Sequence, residues 1–455
     1  MALDERHPTW ATSNRFVPRT FVRPILRFSK AKAASGIFLL VAATVALAWA
    51  NSPWAETYFR VFQSTSFHLS FGPLTFDESI SHLINDGLMA IFFFVVGLEI
   101  KRELVLGDLR HPKAAALPVI AAIGGMIVPA IIYLALTSGL GPEIARGWGI
   151  PMATDIAFVL GVVALLGSRV PAGGKLFILS LAIVDDIGAI VVIALFYADN
   201  VRLGWLATSV VAFVTVWAAG RAGVRSQVFY VPVALVVWFA TYRSGVHATL
   251  AGVALGLLTP ARALYSATEF ETKARHILDT FPLGSTVELE EKSDHEAAVL
   301  TEIATESIAP LNRLEIRLLP WTSFVIVPLF ALANAGITLR GNDLIPTGLG
   351  RVAVGVGLGL LAGKIIGITT FSWLAVRTGL GRLPAHTGWQ HIFGLAAVAG
   401  IGFTVSLFVT SLALPTDAVN AAAKIGIFAG SLVAGVVGFA LLRRLPPAEA
   451  PEEGT

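Results

Sequence analysis

LFILSLAIVDDIGAIVVIALFY, running from Leu176 to Tyr197, is the stretch on which the fold turns. It matches the ~20 residues a helix needs to cross a bilayer. Its only charges are Asp185 and Asp186 at the middle. At ~1.5 Å rise per residue the pair sits about 15 Å from either water face. Each carboxylate costs roughly 2.5–3.5 kcal/mol to insert at that depth, about 6 kcal/mol for the two. Such a cost makes structural sense only where a proton, a small cation, or both in competition neutralise the acids. Adjacent helical residues point ~100° apart, so the two carboxylates face neighbouring sectors. An Asp-Asp pair at the N-cap of a soluble helix is the bland alternative. Apolar sequence on both sides of the pair argues against a cap.

The rest of the chain is built for the same solvent. It has 455 residues, of which 55% are hydrophobic and 14% charged, against roughly 25% charged in ordinary globular proteins. The apolar residues fall in blocks, and twelve spans are read at about 35–52, 80–100, 117–138, 147–166, 176–197, 204–220, 228–241, 245–258, 319–336, 352–375, 389–412 and 421–442. Around them lie a basic arm (1–32), spans 1–8 (33–260), an acidic loop (261–310), spans 9–12 (311–442) and a tail (443–455). Of the 33 Lys and Arg residues, 25 then fall on the side that holds both termini and six on the other. The positive-inside rule puts that first side in the cytoplasm. The first span also has the look of a signal peptide, with Ala48-Trp49-Ala50 as a cleavage site. Its long basic leader and spanning length favour a retained helix. With no cysteine, disulfide and thiol chemistry are excluded.

Several segments carry more than hydropathy. Residues 67–76 alternate around Gly72-Pro73 and read as a short external β-hairpin that offers a dimer contact. Asn85-Asp86 open span 2, and Glu99, Lys101, Arg102 and Glu103 close it, with the two glutamates on one face. Asp86, Glu99, Arg102, Glu103, Arg313 and Glu315 are expected to form a pH-responsive aqueous funnel, with ordinary interfacial anchoring as the alternative. Span 4 contains GWGIPMATD, Gly147 to Asp155, and span 11 contains GIGFTVS, Gly400 to Ser406. Gly and Pro at mid-span interrupt a helix, and the freed backbone groups must find partners in protein or cavity water. The two breaks lie an odd number of spans apart, so their helices cross in opposite directions. Paired interrupted helices in oppositely oriented units point to a transporter binding site. Span 10 carries Gly355, Gly359, Gly363 and Gly367, a stripe that allows close helix approach. Lys364 beside it is too deep to snorkel and must be neutral or paired. Gly363-Lys364 is not a phosphate-binding loop, because Leu358 and Ile365 stand where that motif requires Gly and Ser/Thr.

These strings together resemble the NhaA-type bacterial sodium/proton antiporters over about Ser35 to Leu442. The resemblance rests on Ile84–Leu104, Gly149–Ala157, Leu181–Phe196, Ser244–Gly252, Pro328–Gly336 and Gly400–Phe408. It implies an all-α polytopic membrane protein of about twelve transmembrane helices with inverted-topology repeats and two interrupted helices crossing mid-membrane. It implies that Asp185 and Asp186 form the exchange site, with Thr154 and Asp155 beside it and Lys364 as partner of Asp185. Asp155 and Lys364 would offset the half-helix dipoles. Na+ would be held by Asp185, Asp186 and Thr154. The family is typically a homodimer of the bacterial inner membrane that expels Na+ or Li+ for more than one H+, electrogenically, in pH homeostasis. Two departures bear on pH control. The arm and the 261–310 loop are longer than the family's compact form, and Ile316 and Leu319 stand where some members carry histidine.

The expected function is therefore secondary transport, not enzymatic catalysis, with Na+, Li+, H+ and membrane lipid as partners. No cofactor, ATP or nucleic acid enters. Burial favours the neutralised form of a carboxylate, so Na+ and H+ compete for one coupled group, and exchange follows if only the neutralised site reorients. A sodium-coupled symporter of an organic anion is the rival. A channel would need a continuous hydrophilic pore that these isolated charges do not supply.

Overall fold

The computed structural model describes residues 34–71, 74–198, 201–281, 287–338, 349–414 and 416–447. The basic arm, the Gly72-Pro73 turn and the end of the tail lie outside the described residues. Among the described residues, eight helices are long and apolar enough to cross a membrane: Ile80–Val105, Pro112–Thr137, Pro142–Arg169, Ala172–Phe196, Leu203–Arg221, Pro310–Asn334, Gly350–Arg377 and Asp417–Arg443. A ninth is obtained if Trp389–Val398 and Phe403–Ala413, bent by 49° at their junction, count as one span. Three shorter apolar helices, Ala34–Ala50, Val228–Arg243 and Ala248–Leu258, fall where spans 1, 7 and 8 are expected. The chain is thus a helical, multi-pass membrane protein. One antiparallel ladder joins Ser66–Phe71 to Leu74–Ser79, with Ser66 opposite Ser79 and Phe71 opposite Leu74. The Ser79 hydroxyl accepts the His82 amide hydrogen at 3.2 Å and starts the next helix.

The chain forms two compact units. The first comprises residues up to Met89, Asp108–Asp199 and Ser323 onward. Its centre is set by glycines. An added Cβ at Gly367 would lie 2.1 Å from the Gly124 carbonyl oxygen, and one at Gly363 would lie 2.8 Å from Pro129 Cα. Nothing larger than hydrogen fits, so Pro112–Thr137 and Gly350–Arg377 touch backbone to backbone. The latter helix widens into a π-turn over Gly359–Gly363, immediately before Lys364. Such turns recur at functional sites because they re-aim the next side chain. Asn334 and Asn85 pair through their amides, with Asn334 Nδ2 donating to Asn85 Oδ1 at 2.7 Å. This gives a physical reason for two of the strings that carried the family resemblance.

The second unit comprises Ala90–Gly107 and Asn200–Thr322. Here too glycine permits contact. A Cβ on Gly252 would lie 2.1 Å from the Ala90 carbonyl oxygen, and one on Gly97 would lie 2.6 Å from that of Val253. The 261–310 segment holds two helices, Ala267–Asp279 and Val287–Glu306. Its ends are drawn together where the Leu264 amide donates to the Glu306 carbonyl and the Leu311 amide to that of Pro260. Ser266 and Glu269 form a capping box at the start of the first helix. The Ser266 amide and hydroxyl donate to the Glu269 carboxylate, which holds it below the usual glutamate range.

Candidate functional site: two broken helices and an ion pair

The interrupted spans resolve into distinct pieces. Residues Arg146–Met152 form a 3-10 helix that contains Pro151. The chain then runs extended through Ala153, Thr154 and Asp155 before the α-helix Ile156–Leu166. In the other span only Ala399 to Gly402 separate the two helices, so Phe403 to Ser406, expected within the break, form the first turn of Phe403–Ala413.

The two breaks satisfy each other's backbone. The Asp155 amide donates to the Ile401 carbonyl at 2.7 Å. The Thr154 hydroxyl lies 2.9 Å from the Ala399 carbonyl oxygen, and the Ser406 hydroxyl donates to that of Ile150 at 2.7 Å. The Asp155 carboxylate caps both resumed helices. Its Oδ1 accepts the Phe158 amide hydrogen at 3.2 Å. Its Oδ2 accepts from the Thr404 amide at 3.0 Å and from the Thr404 hydroxyl at 2.5 Å. A negative charge at two helix N-termini is favoured by the orphan N–H groups and by both macrodipoles. Gly402 is required at the crossing, because a Cβ there would lie 2.7 Å from the Ala153 carbonyl oxygen.

Asp185 and Asp186 lie on Ala172–Phe196, and both are buried. The Lys364 ammonium forms an ion pair with Asp185 Oδ2, and both side chains are 0% exposed. The lysine stem passes Gly125, where an added Cβ would lie 3.7 Å from its Cδ. The Thr154 hydroxyl lies 2.6 Å from the same Asp185 Oδ2. That hydroxyl has one proton and two acceptors, Asp185 and the Ala399 carbonyl. Asp185 Oδ1 is buried without a hydrogen-bond partner. Thr154, Asp155, Asp185, Asp186 and Lys364 are thus all buried, and Thr154, Asp185 and Lys364 meet at one oxygen atom. The Asp185 carboxylate and the Thr154 hydroxyl, with the buried Asp186 next in sequence, thus put oxygen atoms beside the two breaks. Among the described residues no three His, Cys, Asp or Glu side chains converge as a resident metal site.

The expected funnel residues divide. Arg102 Nη1 meets Glu315 Oε1 at 2.5 Å, and its Nη2 lies 4.0 Å from Glu103. Arg313 pairs with Glu306 at 3.4 Å, and Arg225 pairs with the same Glu306 at 2.6 Å. Glu99 lies one turn before Glu103 on the same helix. Asp86 belongs to the first unit, where it lies 3.0 Å from His82, whereas the other five residues belong to the second. Sequence reading omitted Glu306 and Arg225, whose link spans 81 residues. It also gave no role to Thr404, although a threonine just after a Gly-x-Gly break is a fitting partner for an opposing cap.

Residues 26–442 match the profile of the family described as Na+/H+ antiporter 1. The Na(+)/H(+) antiporter NhaA 2 of Sorangium cellulosum is 44% identical over 450 residues, covering 97% of this chain and 94% of the relative. The NhaA antiporters of Anaeromyxobacter sp. (strain Fw109-5) and Rhodopirellula baltica are 47% and 45% identical, each over 93% of this chain and over 92% and 94% of their own lengths. None of these matches supports a symporter of organic anions. With broken helices crossing beside a buried acid pair, and with this similarity over nearly its whole length, the chain belongs to the NhaA family of Na+/H+ antiporters.

Proposed function

We propose that the chain exchanges Na+ or Li+ for H+ electrogenically across the bacterial inner membrane, driven by the proton gradient, with Asp185 and Asp186 as the shared site. The observation that carries this reading is the fully buried Lys364–Asp185 pair with the Thr154 hydroxyl on the same oxygen. A buried pair is held together because loss of either partner strands a charge. A cation arriving at Asp185 and Asp186 displaces the ammonium, and Thr154 turns its oxygen lone pairs towards the ion while its proton goes to Ala399. Lys364, left alone in an apolar setting, releases its proton, and a second proton leaves the Asp186 carboxyl, so two H+ exit for each Na+ bound. Return of protons restores the pair and expels the cation. Because Na+ and H+ bind the same groups, binding of one displaces the other, and only an occupied site crosses the barrier.

On this reading twelve spans cross the membrane with both termini in the cytoplasm, the three short apolar helices included. The ladder Ser66–Phe71/Leu74–Ser79 lies outside and pairs two copies. Asp86, Glu99, Arg102, Glu103, Arg313 and Glu315 serve a cytoplasmic funnel that modulates pH response.

Proteoliposomes with an imposed pH gradient test the proposal. Addition of Na+ collapses the gradient for the wild type, and Asp186→Asn abolishes that response. An Asp186→Asn variant that exchanges at the wild-type rate would remove the basis for the site.

A further inference from the structure

We propose that Tyr133 and Tyr197 are positioning residues for the cation site, clamping the 3-10 segment before the first break so that Thr154 is presented to Asp185. The inference rests on the exchange site proposed above. Both phenols are fully buried, at 0% and 1% exposure. The Tyr197 hydroxyl donates to the Arg146 carbonyl at 2.6 Å, and the Tyr133 hydroxyl donates to that of Ile144 at 2.8 Å. These carbonyls lie where the backbone passes from the short helix Pro142–Ala145 into the 3-10 turn. Their bonds are less regular there than in an α-helix.

The glycines of the Gly147-Trp148-Gly149 stretch are seats for these phenols. An added Cβ at Gly147 would lie 2.3 Å from the Tyr133 hydroxyl, and one at Gly149 would lie 2.7 Å from that of Tyr197. The helix-breaking composition read from the sequence thus has a second cause, close approach of two side chains.

The attachment points make a closed frame. Tyr197 caps the helix that carries Asp185 and Asp186. From Arg146 the chain runs eight positions to Thr154, whose hydroxyl returns to Asp185 on that same helix. The segment is therefore fixed to the acid helix at both ends. One attachment would leave it free to swing; two set the direction from which Thr154 approaches. Tyr133 adds a third point from Pro112–Thr137, the helix that also seats the Lys364 stem at Gly125.

The test measures apparent KM for Na+ and for Li+, maximal rate and melting temperature of the full-length protein in proteoliposomes. Tyr197→Phe keeps the ring and removes one hydrogen bond. It is expected to raise the Na+ KM about fivefold, the order of one neutral hydrogen bond, and to change the Na+/Li+ KM ratio, with maximal rate and melting nearly unchanged. Tyr133→Phe acts in the same direction. Gly149→Ala pushes on the same hydroxyl, so Gly149→Ala/Tyr197→Phe is expected to be no worse than the poorer single variant. Wild-type KM in both Phe variants, or lower melting and rate with KM unmoved, would overturn the inference. So would Gly149→Ala and Tyr197→Phe effects that multiply. Failure of the underlying exchange site is read separately, from full activity in Asp186→Asn.

Discussion

One oxygen atom, Asp185 Oδ2, accepts from both the Lys364 ammonium and the Thr154 hydroxyl, while Oδ1 of the same carboxylate is buried without a hydrogen bond. The carboxylate is therefore satisfied on one side only, and the partner that satisfies it is itself a charge 0% exposed. Lys364→Ala leaves that carboxylate uncompensated, and a loss of about 3–5 kcal/mol is expected. The check is a lowered melting temperature that Na+ partly restores, together with altered charge movement per turnover on a solid-supported membrane. Asp185→Asn is expected to lose most Na+-dependent proton release, yet to tolerate Lys364→Ala better than the wild type does, because the two changes remove one interaction. A double variant as damaged as the sum of the singles contradicts that coupling. The acid pair was legible in the sequence because two charges in an uninterrupted apolar run have no other economical explanation. Which acid takes the lysine came from the family resemblance alone, since Asp185 and Lys364 are 179 positions apart and no spacing rule crosses that interval. Asp155 was expected beside the site, offsetting the half-helix dipoles, and in the structure both its oxygens serve helix ends. Its partner Thr404 was visible only in three dimensions.

At the scale of elements, the sequence announced close helix contact through the Gly355–Gly367 stripe but not its partner. The structure supplies one, because Gly124 and Pro129 lie against Gly367 and Gly363. Gly367→Ala sets a methyl against backbone that has no rotamer to move. The expected result is a destabilisation of more than ~3 kcal/mol or loss of Na+-dependent exchange, measured by thermal unfolding in detergent and by the pH-gradient assay. Gly350→Ala, whose added Cβ meets nothing within 4 Å, is the control and is expected to be silent. The loop helix Ala267–Asp279 gives a pH-dependent case. Its Glu269 carboxyl is held below its ordinary value of 4.5 by the Ser266 donors. A depressed carboxyl contributes stability that is present above the unfolded value and lost as pH falls through the folded one. Fraying of this helix is thus expected only in acid below the ordinary value, and Ser266→Ala, which removes the hydroxyl and keeps the amide donor, should reduce the pH dependence. Amide exchange of residues 267–271 at stepped pH reads the difference.

For the molecule as a whole, the issue is where pH acts. Ile316 and Leu319 leave no imidazole beside Glu315, and the mouth charges are paired as Arg102–Glu315 and Arg313–Glu306–Arg225. Paired acids and bases change their net charge little near neutrality, whereas carboxylates that bind Na+ must compete with protons at every pH. The expectation is an apparent Na+ KM that falls steadily as pH rises, both in the wild type and in Glu99→Gln/Glu315→Gln. A double variant that loses this dependence at full maximal rate would place the sensor at the mouth instead. Hydropathy located in advance the eight helices that, among the described residues, are long and apolar enough to span, and the three shorter apolar ones. The Glu306 pairing escaped because it joins the acidic segment to the helix Pro310–Trp321 and to the connection before Gln227–Arg243, and loop composition does not encode its neighbours.

The reciprocal bonds between the two breaks have a kinematic consequence. Ile401 holds the Asp155 amide, Thr404 holds the Asp155 carboxylate, and Ser406 holds Ile150. Neither half-helix can rotate alone without stranding polar groups at a depth where water is scarce and each such loss costs ~1–3 kcal/mol. The crossing therefore travels as a single rigid part, and the exchange cycle has one mechanical coordinate where four helix ends could have given several.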